Sequence, residues 1–305
     1  MKSSSSTLEF PPCQQSKLDS SSATKKNRTF EFTILALLLL GVLYIFVATP
    51  SSFKPLLSSP RSQCNCSTTG LINHILIVAT DPVSYNRWCK FLRLRCYLLE
   101  TEGLDFGHEE MYGSGNYFKM MWRRTQFLGD VLKRGYNFIF TDTDILWLRN
   151  PFSILSPNET FDFQIACDSY QGNKPCPVNN GFTIVRSNNK TISLYDTWYE
   201  KRKVYVGKNE QAVVEYLIRD GLFKDLGLND RFLDTLYFSG FCQNNRDIRS
   251  VVTVHANCCI AISAKLTNLT TVIHDWERAK KLSANEMSTF EWSEHTACTN
   301  STKNW

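Results

Sequence analysis

The chain has 305 residues, 43% of them hydrophobic and 21% charged, with 34 Lys and Arg against 29 Asp and Glu for a net charge of +5. That is enough apolar material for the core of one domain and little more. Part of the basic excess lies in the N-terminal tail, and no basic stripe interleaved with aromatics follows it, which argues against a nucleic-acid partner.

Residues 1–29 are polar and Ser-rich and are expected to be a disordered cytosolic tail. The uncharged run Phe32–Ala48, rich in Leu, Ile, Val and Phe, then predicts a transmembrane signal anchor over residues 30–49. Lys25, Lys26 and Arg28 stand just before it, so the positive-inside rule predicts a single-pass type II protein with its C-terminal part on the lumenal side. Residues 50–70 carry Pro50, Pro55 and Pro60 among serines, the composition of an extended stem, and residues 71–305 form the expected folded domain.

Five Asn-x-Ser/Thr sequons, at Asn65, Asn158, Asn189, Asn268 and Asn300, fall on the expected lumenal side, as do ten of the eleven cysteines. Disulfides are therefore expected, with the pairing left open. The alternative of zinc ligation by Cys64-x-Cys66 and Cys258-Cys259 lacks both the ligand spacing and a second pair of ligands.

Within the domain, His74–Thr80 reads as a short buried parallel strand ending at Asp81-Pro82. Tyr117–Arg134 has apolar residues at helical spacing and is closed by Gly135. Asn137–Phe140 is a second buried strand, followed by Asp142-Thr143-Asp144. Apolar runs at Phe163–Ala166, Thr183–Val185 and Val251–Val254 and a helix-like stretch at Asn209–Arg219 complete an α/β pattern.

An apolar strand that delivers Asp-x-Asp places two carboxylates at the sheet edge where ligands of open α/β folds bind. In extended backbone, Asp142 and Asp144 face the same way and suit one hard cation, Mn²⁺ or Mg²⁺. Such an ion bridges and neutralises a diphosphate leaving group. The competing reading of Asp-x-Asp is a strand-to-loop turn, where Asp is favoured for its own backbone hydrogen bonds.

Here a resemblance enters. The run Phe138–Phe152 (FIFTDTDILWLRNPF) resembles the signature of the plant nucleotide-diphospho-sugar transferase family that includes cell-wall xylosyl- and arabinosyltransferases. KMMWRR (Lys119–Arg124), NNGF (Asn179–Phe182), NEQ (Asn209–Gln211), FSGFC (Phe238–Cys242) and HANCC (His255–Cys259) fit the same family, in family order. The resemblance implies a GT-A-like, Rossmann-type domain, a nucleotide-diphosphate sugar as donor, Mn²⁺ as cofactor, and transfer with retention to a cell-wall polysaccharide or glycoprotein.

It further implies Asp142 and Asp144 as the metal and donor motif, with His255 as third ligand. Lys119 and Arg123, on the polar face of the helix ahead of the metal strand, are candidates for the donor phosphates. Asn180 and Gly181 suit a turn close to the sugar, and Asp168, Glu210 and Gln211 offer polar groups, with Asp168 and Gln211 the first catalytic candidates. The chain departs from the family ahead of His74, where the family's first strand–helix unit is expected to be missing. That departure keeps a non-catalytic pseudo-transferase, scaffolding a Golgi partner, as the alternative.

Overall fold

The computed structural model describes residues 42–48, 74–86, 95–101, 103–104, 106–107, 110–155, 160–172, 176–243 and 247–303. A seven-stranded mixed sheet has the order β3-β2-β1-β4-β7-β6-β8. Its strands are β1 (Val42–Ala48), β2 (Ile75–Ala79), β3 (Arg95–Leu98), β4 (Asn137–Thr141), β6 (Phe163–Cys167), β7 (Val178–Val185) and β8 (Asp230–Leu233). A second sheet of three short strands, in the order β5 (Ile145–Trp147), β10 (Thr253–His255) and β9 (Phe238–Gly240), adjoins it.

Two features depart from the sequence expectations. Val42–Ala48, the C-terminal part of the run expected as a transmembrane helix, is a strand paired antiparallel to both β2 and β4. An uninterrupted apolar run fits a membrane helix and a strand buried on both faces equally, and VLYIFVA is rich in β-branched and aromatic residues. The rest of the expected anchor, the tail and most of the stem lie outside the described residues, and none of the described helices is long and apolar enough to cross a membrane. A strand thus precedes β2 in the chain and lies between β2 and β4 in the sheet, where the sequence had the stem running almost directly into His74.

The second departure is direction. β2 runs parallel to β3, but β4, which leads to Asp142, is antiparallel to β1 and β7. The expected parallel sheet is a mixed one. A strand buried on both faces reads as continuously apolar whichever way its neighbours run.

Helix α1 (Gly115–Lys133) packs on one face of the large sheet with α2 (Asn189–Lys201) and α3 (Glu210–Arg219). It begins where the Ser114 side chain accepts the Tyr117 N–H and ends before Gly135, whose φ of 82° is open to glycine at no steric cost. Alternation along β4 serves both faces: Phe138 and Phe140 join the cluster with Leu128, Leu132, Tyr195 and Trp198, while Ile139 joins Phe182, Ile184 and Leu233. A third cluster, of Leu146, Val251, Val254, Leu269 and Val272, seats α4 (Ile262–Ala279) on the small sheet.

Three disulfides join described residues, Cys167–Cys176, Cys242–Cys258 and Cys259–Cys298. The adjacent Cys258 and Cys259 thus belong to two different bridges, and a zinc site there is ruled out. One sequon is corrected: Asn268 lies buried in α4, where its side-chain oxygen accepts the Cys298 N–H at 2.8 Å. A glycan has no room there, whereas Asn189 and Asn300 are exposed.

Candidate metal and donor site

Asp142 and Asp144 stand where the chain passes from one sheet to the other. The Asp142 N–H donates to the Gly181 carbonyl at 2.7 Å, which prolongs the β4–β7 pairing, while the Asp144 carbonyl accepts the Ala256 N–H at 3.0 Å from beyond β10. Thr143 and Asp144 form a turn between β4 and β5, so the two aspartates do not share one continuous extended strand. Their convergence is set by sheet-to-sheet packing: His255 pairs with Ile145 across β10 and β5 and arrives beside Asp144.

Ligand atoms of Asp142, Asp144 and His255 lie within 4.8 Å of one another. Two carboxylates and an imidazole are a donor set that suits a divalent cation. Gly181 forms one wall, since a Cβ there would lie 2.6 Å from His255 Cε1, 2.7 Å from Asp142 Oδ2 and 2.8 Å from Asn179 Oδ1. Any side chain at that position would therefore displace the candidate ligands, and the donor set present fits a divalent ion.

Basic side chains already answer both carboxylates. His255 Nε2 lies 3.2 Å from Asp144 Oδ1 and Lys265 Nζ 2.8 Å from Asp144 Oδ2. Burial disfavours the Asp144 anion, yet Lys265 and His255 together hold its carboxyl well below the usual carboxylate range. Burial likewise works against a charge on His255, but Asp144 and, more weakly, Asp142 raise its pKa above the ordinary histidine value. Arg124, buried under the Phe140 ring, reaches Asp142 Oδ1 at 2.8 Å and Glu210 Oε1 at 2.6 Å.

A second set of hydrogen bonds surrounds this group. Asn180 donates through Nδ2 to Glu210 Oε1 at 3.0 Å and through its backbone N–H to Gln211 Oε1 at 3.2 Å. Asp168 Oδ1 accepts from Asn179 Nδ2 at 2.8 Å and Asn257 Nδ2 at 2.7 Å. Asn179 in turn accepts the Gly181 N–H at 2.9 Å, which ties Asp168 to the glycine wall of the metal site.

The structure thus brings together Asp142, Asp144, His255, Gly181, Asn180, Asp168 and Gln211. Lys119 and Arg123 are not part of the group. Arg123 donates to the Glu100 carbonyl at 2.7 Å and to Gln126 Oε1, and Lys119, one turn earlier, is exposed. The arginine in the site is the next one, Arg124, about 100° further around the helix. Its phase was readable, for Arg124 falls three residues after Met121 and four before Leu128, on the apolar stripe of α1. Lys265 was missed because no helix was expected at residues 262–279; once α4 is recognised, Leu269 and Val272 put it on the inward face.

Residues 70–269 match the family model described as nucleotide-diphospho-sugar transferase, and the chain belongs to that family. It is similar to two uncharacterized proteins of Arabidopsis thaliana. One is 47% identical over 77% of this chain and 69% of its own length, the other 42% identical over 69% of this chain and 55% of its own. A shorter stretch, 30% of this chain and 26% of the relative, is 33% identical to a UDP-D-xylose:L-fucose alpha-1,3-D-xylosyltransferase of the same plant.

Proposed function

We propose that this chain is a metal-dependent glycosyltransferase that moves a sugar from a nucleotide-diphosphate sugar to a polysaccharide or glycoprotein acceptor of the plant cell wall, with retention of anomeric configuration. The observation that carries the reading is the convergence of Asp142, Asp144 and His255 against Gly181, where no Cβ fits. A Mn²⁺ or Mg²⁺ ion bound there supplies charge neutralisation for the departing diphosphate. Asp142 and Asp144 would hold that ion with His255, and Lys265 and Arg124, each in contact with one of the two aspartates, would add positive charge to the site. Asp168, its Oδ1 held by two amide donors, is the carboxylate offered to the donor sugar or the acceptor, and Gln211 accepts the N–H of Asn180, which lies with Gly181 in strand β7 rather than in the expected turn. Family membership supports a nucleotide-sugar donor, and the xylosyltransferase named above makes UDP the first nucleotide to test.

The Golgi lumen is the proposed compartment. Disulfides at Cys167, Cys242 and Cys259 with their partners support an oxidising environment. A second reading, the non-catalytic scaffold, is favoured by one observation: Lys265, His255 and Arg124 already satisfy the two aspartates without a cation.

Calorimetric titration of the full chain with UDP, with Mn²⁺ and with chelator, separates the two. Metal-dependent binding that disappears in Asp144→Ala, with the variant still folded, is expected of the transferase. Absence of metal-dependent binding by the folded parent chain would leave the scaffold.

A further inference from the structure

Glu210 was expected to offer its carboxylate to a ligand, but it is only 2% exposed, and Oε1 is engaged by Arg124 and by Asn180. Its other oxygen, Oε2, is buried with no hydrogen-bond partner among the described residues. A buried carboxylate that leaves one oxygen unsatisfied is costly, and structures retain such groups where they serve a site. Its location softens the cost: Glu210 is the first residue of α3, and a helix N-terminus favours negative charge.

The charges around the turn give the reason. Asp142, Asp144 and Glu210 are three carboxylates, and Arg124 and Lys265 are two cations that touch them. With His255 neutral, as a metal ligand must be, one negative charge remains. Without Glu210 the balance would be zero, and a divalent cation would have to enter a group already neutralised by arginine and lysine. Geometry acts in the same direction. Arg124 spans two carboxylates with one nitrogen each, Nη1 on Asp142 Oδ1 and Nη2 on Glu210 Oε1. Asp142 Oδ2 is left facing the Gly181 wall and His255. Freed from Glu210, the guanidinium fork can turn both nitrogens onto Asp142, its preferred bidentate mode, and occupy the oxygen a cation needs.

We infer that Glu210 is a positioning residue of the metal site, which draws Arg124 off Asp142 Oδ2 and keeps the acidic turn anionic. The inference rests on the metal-site reading above. It differs from a donor-hydroxyl role, because Glu210 acts through Arg124 and touches no ligand.

The test is Mn²⁺ binding by the full chain without nucleotide, read by electron paramagnetic resonance of free Mn²⁺, in the parent, Glu210→Gln and Glu210→Asp. Glu210→Gln keeps the shape and removes the charge, and its Mn²⁺ affinity is expected to fall about tenfold or more. Glu210→Asp keeps the charge and is expected to recover most of that loss, a rescue that a space-filling role would not produce. Equal affinity in the parent and Glu210→Gln would overturn the inference while leaving the metal site standing. No Mn²⁺ binding by the parent would overturn both. Failure of both variants to fold would assign Glu210 to the framework of the domain and overturn its role at the metal.

Discussion

No carbon atom can be added to Gly181 without striking His255: a Cβ there would lie 2.6 Å from Cε1 of the imidazole and 2.7 Å from Asp142 Oδ2. Both neighbours are candidate ligands held by backbone pairing, His255 to Ile145 and Asp142 to Gly181 itself. Gly181→Ala should therefore displace ligands rather than merely crowd a loop. A stability loss of about 1–3 kcal/mol is expected from overpacking. More specifically, the rise in melting temperature that Mn²⁺ confers on the parent should disappear in the variant. Thermal unfolding with and without Mn²⁺ reads both effects, and a preserved metal-induced shift would show that the wall yields without disturbing the ligands.

Lys265 occupies one of the two oxygens that Asp144 could offer a cation. Removing the ammonium in Lys265→Met should raise Mn²⁺ affinity without nucleotide by roughly threefold to tenfold, because the ion no longer competes with an internal cation. Binding of UDP to the metal-loaded protein should weaken at the same time, since a positive charge beside the diphosphate is lost. Calorimetry of the two steps separates them. Unchanged metal affinity would mean that Lys265 leaves Asp144 without cost, and that the contact contributes nothing to the resting site.

His295 is stacked on Phe241 with ring centroids 3.9 Å apart, and both of its ring nitrogens are buried without hydrogen-bond partners among the described residues. Burial pushes its pKa below the ordinary value of 6.5, an effect that Asp275 opposes only in part. The unfolded chain therefore binds more protons than the folded one below that value, and stability contributed by the neutral ring is present above about pH 6.5 and is lost as the pH falls toward the folded pKa. Urea unfolding at about pH 7.5 and about pH 5 should show this loss. His295→Phe, which keeps a flat ring on Phe241, should flatten that part of the profile; an unchanged slope would place the acid sensitivity elsewhere.

Much of the fold was legible because its elements carry strong local signals. The apolar stripe of α1 and Gly135 mark a helix by periodicity and its C-terminus, whereas its start at the Ser114 cap, ahead of the expected Tyr117, went unread. The five buried residues of β4 read as a strand for the same kind of reason. Short elements were not legible. β8, β9 and β3 have four residues or fewer, too few for a period to show, and their pairing partners are remote in sequence. The apolar run containing Val42–Ala48 was read as a membrane helix because an uninterrupted apolar run by itself does not separate a helix from a strand.

At the site, the sequence by itself determined the chemistry on offer: two carboxylates one residue apart after a buried strand, a glycine at Gly181, a distal His255, and a family signature spread in order along the chain. Tertiary structure alone decided which charges meet them. Arg123 and Arg124 are neighbours in the chain with the same side chain, yet a helical step of about 100° sends one to the Glu100 carbonyl and the other under Phe140 to Asp142 and Glu210. Lys265 lies 121 residues from Asp144 and reaches it only because α4 packs on the small sheet. Side-chain type sets what a residue can do, whereas the packing of helices and sheets sets the few ångströms over which electrostatic and coordination energies act.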